Sequence, residues 1–365
     1  MQSIPSNNSY ASFSISGGKI VPNSLVSVST ALKNPEFLNA VTLIASDIAS
    51  CRFKNFPPYI KILDIPNNLI SSYNFWQSAY AQLLLTGNSY LLISRDKNNL
   101  PIKLEQIPTS QVQINLSDDS QELTYTINFD DNRHNIEVPS SEMIHLRLMC
   151  TGEGDNALNR FVGVSPLESL ANTLRVTDNS DRLTLKQLEK AILPSNIITL
   201  PIQTNSKVKD EVRNEFEAQY TGDNAGSTIV MDNSATLSQL QINADVAKFL
   251  NAIDADAGRI ATAFGIPASY LSPNKSDNQS NVSQIQSLYV NSLTRYIDPI
   301  VSELRMKLQL PTLELDINQA IDRDGSQLIN NIAKLTAGQT PVLTQQQALN
   351  LLTKRGVFTE DELKI

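Results

Sequence analysis

Helical periodicity in this 365-residue chain stops at Gly87-Asn88, gives way to a series of short strand-like runs, and resumes at Gly163-Val164-Ser165-Pro166. That order most constrains the fold. Before the stop, Asn34-Pro35 opens a helix by cap chemistry, with Asn as cap and Pro at the first helical position. Phe37, Val41, Ile44, Ala45 and Ile48 then recur at helical spacing. A second helix carries Phe75, Trp76, Tyr80, Leu83 and Leu84 up to Gly87. The strand candidates are Tyr90–Ile93, Val112–Leu116, Leu123–Phe129, Ile136–Val138 and Met143–Leu148, with turn residues between them. The expectation is an α+β fold with a mostly antiparallel sheet.

From Ser165 the helical period returns. Leu167, Leu170, Ala171 and Leu174 form an apolar stripe that Leu185, Leu188 and Ile192 continue. Between them the run from Arg175 to Arg182, with Asp178, is polar almost throughout. An unbroken helix over this stretch spans roughly 40 Å. A polar waist of this kind suits a helix that lines a cavity or bridges two layers. Leu193-Pro194 ends it.

A small α/β unit follows, with a strand at Asn196–Leu200, a helix at Lys207–Tyr220 and strands at Ser227–Met231 and Leu237–Ile242. The next helix places Val246, Phe249, Ile253, Ala257, Ile260 and Phe264 on one face, and Lys248, Asn251, Asp254 and Arg259 on the other. Gly265-Ile266-Pro267 stops it. Ser272–Asn281 has no apolar residue except Pro273, the composition of a surface loop. A long helix then runs from Val282 to Leu308, and the tail beyond Pro311 reads as helical. Residues 1–33, rich in Ser, Asn and Gly, read as a flexible arm or an edge strand.

With 41% hydrophobic residues the chain has enough for a sizeable core. Its formal charge of −8 argues against tight duplex binding, which needs a basic face. It does not argue against a channel, because an acidic wall repels phosphate and keeps a moving duplex from sticking. The two cysteines, Cys51 and Cys150, read as free buried thiols. No apolar run reaches the length of a membrane span, and no signal peptide is read.

Catalytic motifs are scarce. Of the two histidines, His134 falls in a polar turn, while His145 falls in a strand, where a packed or hydrogen-bonded residue is the ordinary outcome. No Gly-x-Ser-x-Gly elbow occurs. Gly17-Gly18-Lys19 lacks the spacing of a phosphate loop. No closely spaced His or Cys pairs suit zinc. Asp322-Arg323-Asp324-Gly325 is too short for a calcium loop. Asp254 and Asp256 lie two apart on a helix and so point in different directions. These observations imply no enzyme, no cofactor and no metal.

An ordered set of segments carries a resemblance. They are the Trp76 helix leading into Leu83-Leu84-Leu85-Thr86-Gly87-Asn88-Ser89-Tyr90, then Leu100–Leu104 with Ile107-Pro108, and Glu142–Arg147. After these come Gly163–Leu167, Ile260–Pro267, and Ser280-Asn281 before the last long helix. In this order they resemble the bacteriophage portal proteins of the HK97 type. The resemblance implies the portal fold: an α+β wing, long stem helices, a small α/β clip, a tunnel loop and a helical crown.

Carried onto this chain, the implied division is an arm at 1–33, the wing at 34–163, the first stem helix at 164–192 and the clip at 193–243. The second stem helix would be 244–271, the tunnel loop 272–281, the helix behind it 282–310 and the crown 311–365. The implied function is a dodecameric ring at one capsid vertex of the virion, assembled in the host bacterial cytoplasm. Double-stranded viral DNA would be packaged and ejected through it. Its implied partners are the large terminase, head–tail connector proteins and the capsid or scaffold protein.

The DNA-facing loop would be Asn274, Lys275, Ser276, Asp277, Asn278, Gln279, Ser280 and Asn281. The polar stem faces would be Arg175, Asp178, Arg182, Asp254 and Arg259. Small and amide side chains suit weak, replaceable contacts, and Lys275 adds one phosphate-attracting charge per subunit, partly offset by Asp277. Another ring-forming head–neck component, or a hydrolase using Asp254, Asp256 or His145, are the alternatives.

Overall fold

The computed structural model describes residues 2–5, 13–16, 19–22, 28–117, 121–152, 160–191, 196–199, 236–239, 256–271, 282–317, 326–337 and 342–354, and a few single positions between 205 and 214. The chain divides into two compact units. One comprises Met1–Arg175 with Asp256–Ile365, and the other Val176–Ala255.

The first unit is built on a helical pair. A helical turn, α1 (Val28–Ala31), buries Ala31 just ahead of the Asn34 cap. In α2 (Pro35–Ser50), Asn34 accepts the Phe37 amide at 2.8 Å, and Pro35 begins the helix as its sequence predicts. In α3 (Ser72–Thr86), Ser71 caps the start. Gly87 ends it in the left-handed region (φ 77°), donating its amide to Leu83 O at 2.8 Å. Phe37, Ile44, Ile48, Phe75, Tyr80 and Leu83 are fully buried, and Trp76 closes the group with its indole N–H bonded to Leu63 O at 3.0 Å.

The strands are β1 (Gln2–Pro5), β2 (Phe13–Ser16), β3 (Lys19–Pro22), β4 (Arg52–Lys54), β5 (Asn88–Arg95), β6 (Pro101–Ile107), β7 (Val112–Leu116), β8 (Leu123–Ile127), β9 (Ile136–Pro139) and β10 (Met143–Arg147). Two sheets result, in the orders β10-β5-β6 and β1-β7-β8-β9. Every described pairing is antiparallel. Within the described N-terminal residues, Gln2–Pro5 is an edge strand on β7, and β2 pairs antiparallel with β3.

Strand β5 is buried on both faces. Leu91 and Ile93 join the helical core, while Tyr90 joins a second cluster with Ile114, Tyr125, Ile127 and Met143. A strand enclosed this way needs no polar alternation, which is why Tyr90–Ile93 is an unbroken apolar run. Strand β6 shows no alternating pattern in the sequence and is marked there only by the segment Leu100–Leu104 with Ile107-Pro108. Strand β13 (Glu314–Asp316), paired with β4, interrupts a tail that the sequence presents as helical.

Three further helices follow the sheet in this unit's order of packing. The first, α4 (Pro166–Ala191), begins here and continues into the second unit, where β11 (Asn196–Thr199) pairs antiparallel with β12 (Thr236–Gln239). Next is α5 (residues 256–264), which buries Ala257, Ile260, Ala261 and Phe264, the face its periodicity marks. Gly265 (φ 65°) ends it, with its amide on Thr262 O and the Ile266 amide on Ala261 O. The long α6 (Val282–Leu308) buries Tyr289, Leu293, Tyr296, Ile300, Leu304 and Leu308, and contains Pro299.

The last described elements are α7 (Ser326–Thr336) and α8 (Gln345–Lys354). Thr344 and Gln347 form the expected capping box, each side chain accepting the other's amide. Two sequence expectations are corrected. Cys150 is free but exposed, whereas Cys51 is free and buried. Leu185, expected in the apolar stripe, stands 60% exposed. The stripe it continues passes through a polar run, and the apolar periodicity alone does not tell which side of that run is covered.

Candidate functional site

Two sequence segments 76 positions apart meet at the root of α4. A Cβ on Gly163 would fall 2.2 Å from Gly87 O, and one on Gly87 would fall 2.6 Å from Gly163 O, so both positions demand glycine on steric grounds. Asn88 completes the joint. Its Nδ2 donates to Gly163 O at 2.9 Å, and its Oδ1 accepts the Gly163 amide at 2.8 Å. The side-chain amide thus pairs with a peptide unit as a neighbouring strand would. Ser165 caps α4, accepting the Leu167 amide at 3.0 Å while its hydroxyl donates to Leu85 O at 2.7 Å.

From Asn88 a buried polar network extends to α6. His145 Nε2 stands 3.0 Å from Asn88 Oδ1, and Arg147 donates from Nε to His145 Nδ1 at 3.0 Å. With Nδ1 accepting, Nε2 carries the proton and the imidazole is neutral. Arg147 Nη2 also donates to Tyr125 Oη at 3.2 Å. On the α6 side, Glu303 accepts the His145 amide at 3.3 Å and lies 3.7 Å from Arg147 Nη1 and 3.8 Å from Lys307 Nζ.

Burial drives the His145 pKa well below its ordinary value, and the charges of Arg147 and Lys307 drive it further. Burial likewise pushes Tyr125 up to about 12, Arg147 partly offsetting it. This is a histidine occupied in structure, with no open face for a reacting group.

The segment 272–281, expected as the DNA-facing loop, lies outside the described residues, and so do Asn274 to Asn281. Its entry side is described and pinned, and the helix that follows it is held from Tyr289 onward. On the entry side, Leu271 is buried, and Tyr270 stacks on Tyr289 of α6 with centroids 4.6 Å apart and planes at 24°. Tyr289 donates its hydroxyl to Asp47 Oδ2 of α2 at 2.5 Å. Burial and the Asp47 carboxylate both raise its pKa. Asn39 Nδ2 donates to Tyr270 O at 3.3 Å, and Tyr296 Oη to Phe264 O at 2.7 Å. Phe264 meets Phe37 edge-on at 5.5 Å. The chain entering the segment therefore leaves from a frame built by α2, α5 and α6.

The sequence marks Tyr289 only as one residue of an apolar stripe. Asp47 and Tyr270 carried no signal at all, because a hydroxyl partner 242 positions away is invisible to periodicity.

Among the other expected site residues, Arg175 donates to Asn172 Oδ1 at 3.3 Å. Asp178 pairs with Arg182 at 3.1 Å across one helical turn, both well exposed. Arg259 pairs with Asp256 at 3.8 Å. Asp254 lies outside the described residues. The Asp254–Asp256 alternative loses support on its described half, since Asp256 faces Arg259. Among the described residues no group of three or more His, Cys, Asp or Glu side chains is placed to hold a metal ion. None of the described helices is long and apolar enough to cross a membrane.

A helical pair, antiparallel sheets and the long helix α4 rooted beside them make an α+β architecture of the portal type, as the family match states. The chain belongs to the phage portal protein family, whose model matches residues 35–364. Among solved structures, the neck of a native gene transfer agent particle computed with C12 symmetry matches with a TM-score of 0.67 at 20% identity, covering 91% of this chain and 93% of that one. An HK97 family phage portal protein from Corynebacterium diphtheriae matches with a TM-score of 0.56 at 16% identity, over 83% and 99% of the two chains. An uncharacterized protein of Rickettsia bellii (strain RML369-C) is 24% identical over 258 residues, 68% of this chain. One of Rickettsia felis (strain ATCC VR-1525 / URRWXCal2) is 23% identical over 256. The matches span 64% of the length of these two relatives.

Proposed function

We propose that this chain is the subunit of a symmetric homo-oligomeric ring, a dodecamer, set at one capsid vertex of a phage-like particle. Double-stranded DNA enters and leaves through its bore. The observation that carries this function is the family match from residue 35 to residue 364, supported by the fold shared with the C12 neck structure.

In this assignment residues 34–163 form the wing, and α4 and the helix ending at Phe264 form the stem. The clip is 193–243, which docks the large terminase and later the head–tail connector. The tunnel loop is 272–281, and the crown runs from 311, with capsid or scaffold protein around the ring. The protein acts by shape and charge, not by catalysis, and ATP hydrolysis falls to the terminase. A chain of net charge −8 suits a bore that must not hold the duplex, since repulsion of phosphate keeps it sliding.

The Tyr270–Tyr289 frame on the entry side supports the loop assignment, because a loop that touches moving DNA needs a firm root to keep its position. Within the loop, Lys275 provides the attraction and Asp277 limits it.

Negative-stain electron microscopy with native mass tests the ring. A closed ring with a bore roughly wider than the 20 Å of a B-form duplex is expected, and a compact dimer with a deep pocket returns the hydrolase alternative. For the loop, packaging assays with Lys275→Ala are expected to lose DNA retention, and unchanged packaging and retention would remove Lys275 from the assignment.

A further inference from the structure

Asn88 is fully buried, and every position of its side-chain amide is taken. Nδ2 donates to Thr86 O at 3.1 Å and to Gly163 O at 2.9 Å. Oδ1 accepts the Gly163 amide and faces His145 Nε2 at 3.0 Å. The amide turned over would set N–H against the Gly163 N–H, and oxygen against both carbonyls. The joint at the root of α4 therefore closes in one orientation of Asn88 only.

That orientation depends on a proton on the next side chain. With Oδ1 opposite, His145 Nε2 must carry the ring hydrogen and Nδ1 must be bare. Nδ1 has two polar neighbours of different kinds. Arg147 Nε, at 3.0 Å, can only donate, whereas Tyr125 Oη, at 3.1 Å, can donate or accept. Arg147 thus forces a tautomer that Tyr125 alone leaves open. With Arg147 withdrawn, Nδ1 can carry the hydrogen and donate it to Tyr125. The bare Nε2 would then confront Asn88 Oδ1 lone pair to lone pair. Asn88 would have to turn, and both of its bonds to Gly163 would go with it.

What holds Arg147 in place stands on α6. Glu303, with a side chain only 10% exposed, lies 3.7 Å from Arg147 Nη1 and 3.8 Å from Lys307 Nζ. Lys307 is itself tied to Ser140 O. Without the carboxylate, two cations share a buried site with nothing between them to offset their repulsion. Arg147, at 21% side-chain exposure against 8% for Lys307, is the one with a path to solvent.

We infer that Glu303 is a positioning residue for the root of α4: through Arg147 it fixes the His145 tautomer, and through that tautomer the Asn88 orientation that binds Gly163. Seating of α6 and closure of the α4 root are then one event. The relay lies within a single protomer and stands apart from the ring assignment.

His134 and His145 are the only histidines, so ¹⁵N-histidine labelling of the full-length chain gives two imidazoles to resolve by NMR near neutral pH, with H134Q assigning them. The wild-type His145 is expected to show a protonated Nε2 and a bare Nδ1. E303Q is expected to populate the Nδ1–H tautomer and to speed hydrogen exchange of the Gly163 amide roughly ten-fold or more. K307M and Y125F are expected to keep the wild-type tautomer, because neither removes the Glu303–Arg147 pair. An Nδ1–H tautomer in the wild type overturns the relay. So does E303Q with an unchanged tautomer, whether Gly163 exchange stays the same or rises, since a rise alone means general loosening. A tautomer lost in Y125F or K307M overturns it as well. The wild-type and Y125F spectra keep the test decisive where E303Q fails to fold.

Discussion

The root of α4 and the polar run ten residues further along are held in opposite ways. At the root, Gly87, Asn88 and Gly163 are in backbone contact, the Asn88 amide is saturated by buried partners, and steric room is absent. Along the run, Arg175, Asp178 and Arg182 stand largely in solvent, with contacts to side chains of their own helix. The first arrangement fixes a chain path and tolerates almost nothing. The second leaves the chemistry of a surface open to change. A ring subunit of the proposed kind gains from the first, because helix direction must be repeated in every copy.

The difference can be broken most sharply at the joint. Gly163→Val puts side-chain atoms onto the Gly87 backbone and is expected to cost about 4 kcal/mol or more, read by chemical denaturation or by loss of soluble protein. A stable variant would show that the joint yields. Asn88→Ala leaves the Gly163 peptide and His145 without their buried partner and is expected to cost about 3 kcal/mol by the same measurement.

A third test uses pH. Below about 6.5 the unfolded chain takes up a proton at His145 that the folded chain refuses, so stability falls as pH drops. The slope is at most about 1.4 kcal/mol per pH unit, down to the depressed folded value. His145→Gln should flatten that slope in a series of melts, and an unchanged slope assigns it to other groups. Asp178→Ala marks the low end, with stability expected to move by no more than about 0.5 kcal/mol in a thermal melt.

The same contrast explains what could be read from the sequence. The caps at Asn34 and Thr344, the stops at Gly87 and Gly265 and the buried faces of α5 and α6 follow from local chemistry, and the structure has them where periodicity placed them. The segments Leu83–Tyr90 and Gly163–Leu167 were recognisable separately. That they are two halves of one joint was not, because the contact is between backbones and is closed by a single amide.

Strand β6 is hidden in the sequence because Pro101 and the charged Lys103 and Glu105 obscure its alternation, and β13 because it is three residues long. Of the candidate site, the polar positions on α4 were legible as composition. The Asp47–Tyr289–Tyr270 frame was not, since it links three elements distant in sequence.

The joint at Gly87 and Gly163 has one more consequence. The chain departs at Asn88 and is back, one hydrogen bond away, at Gly163. Everything between is an excursion that begins and ends at the same point. Doubling the length of a flexible turn within that excursion costs only about 0.6 kcal/mol in closure entropy. The exposed turn at 130–135 can therefore gain residues at little entropic cost while the buried strands around it, α3 and α4 keep their places. The two glycines are the seam that closes the excursion, and a longer turn at its far end leaves that seam untouched.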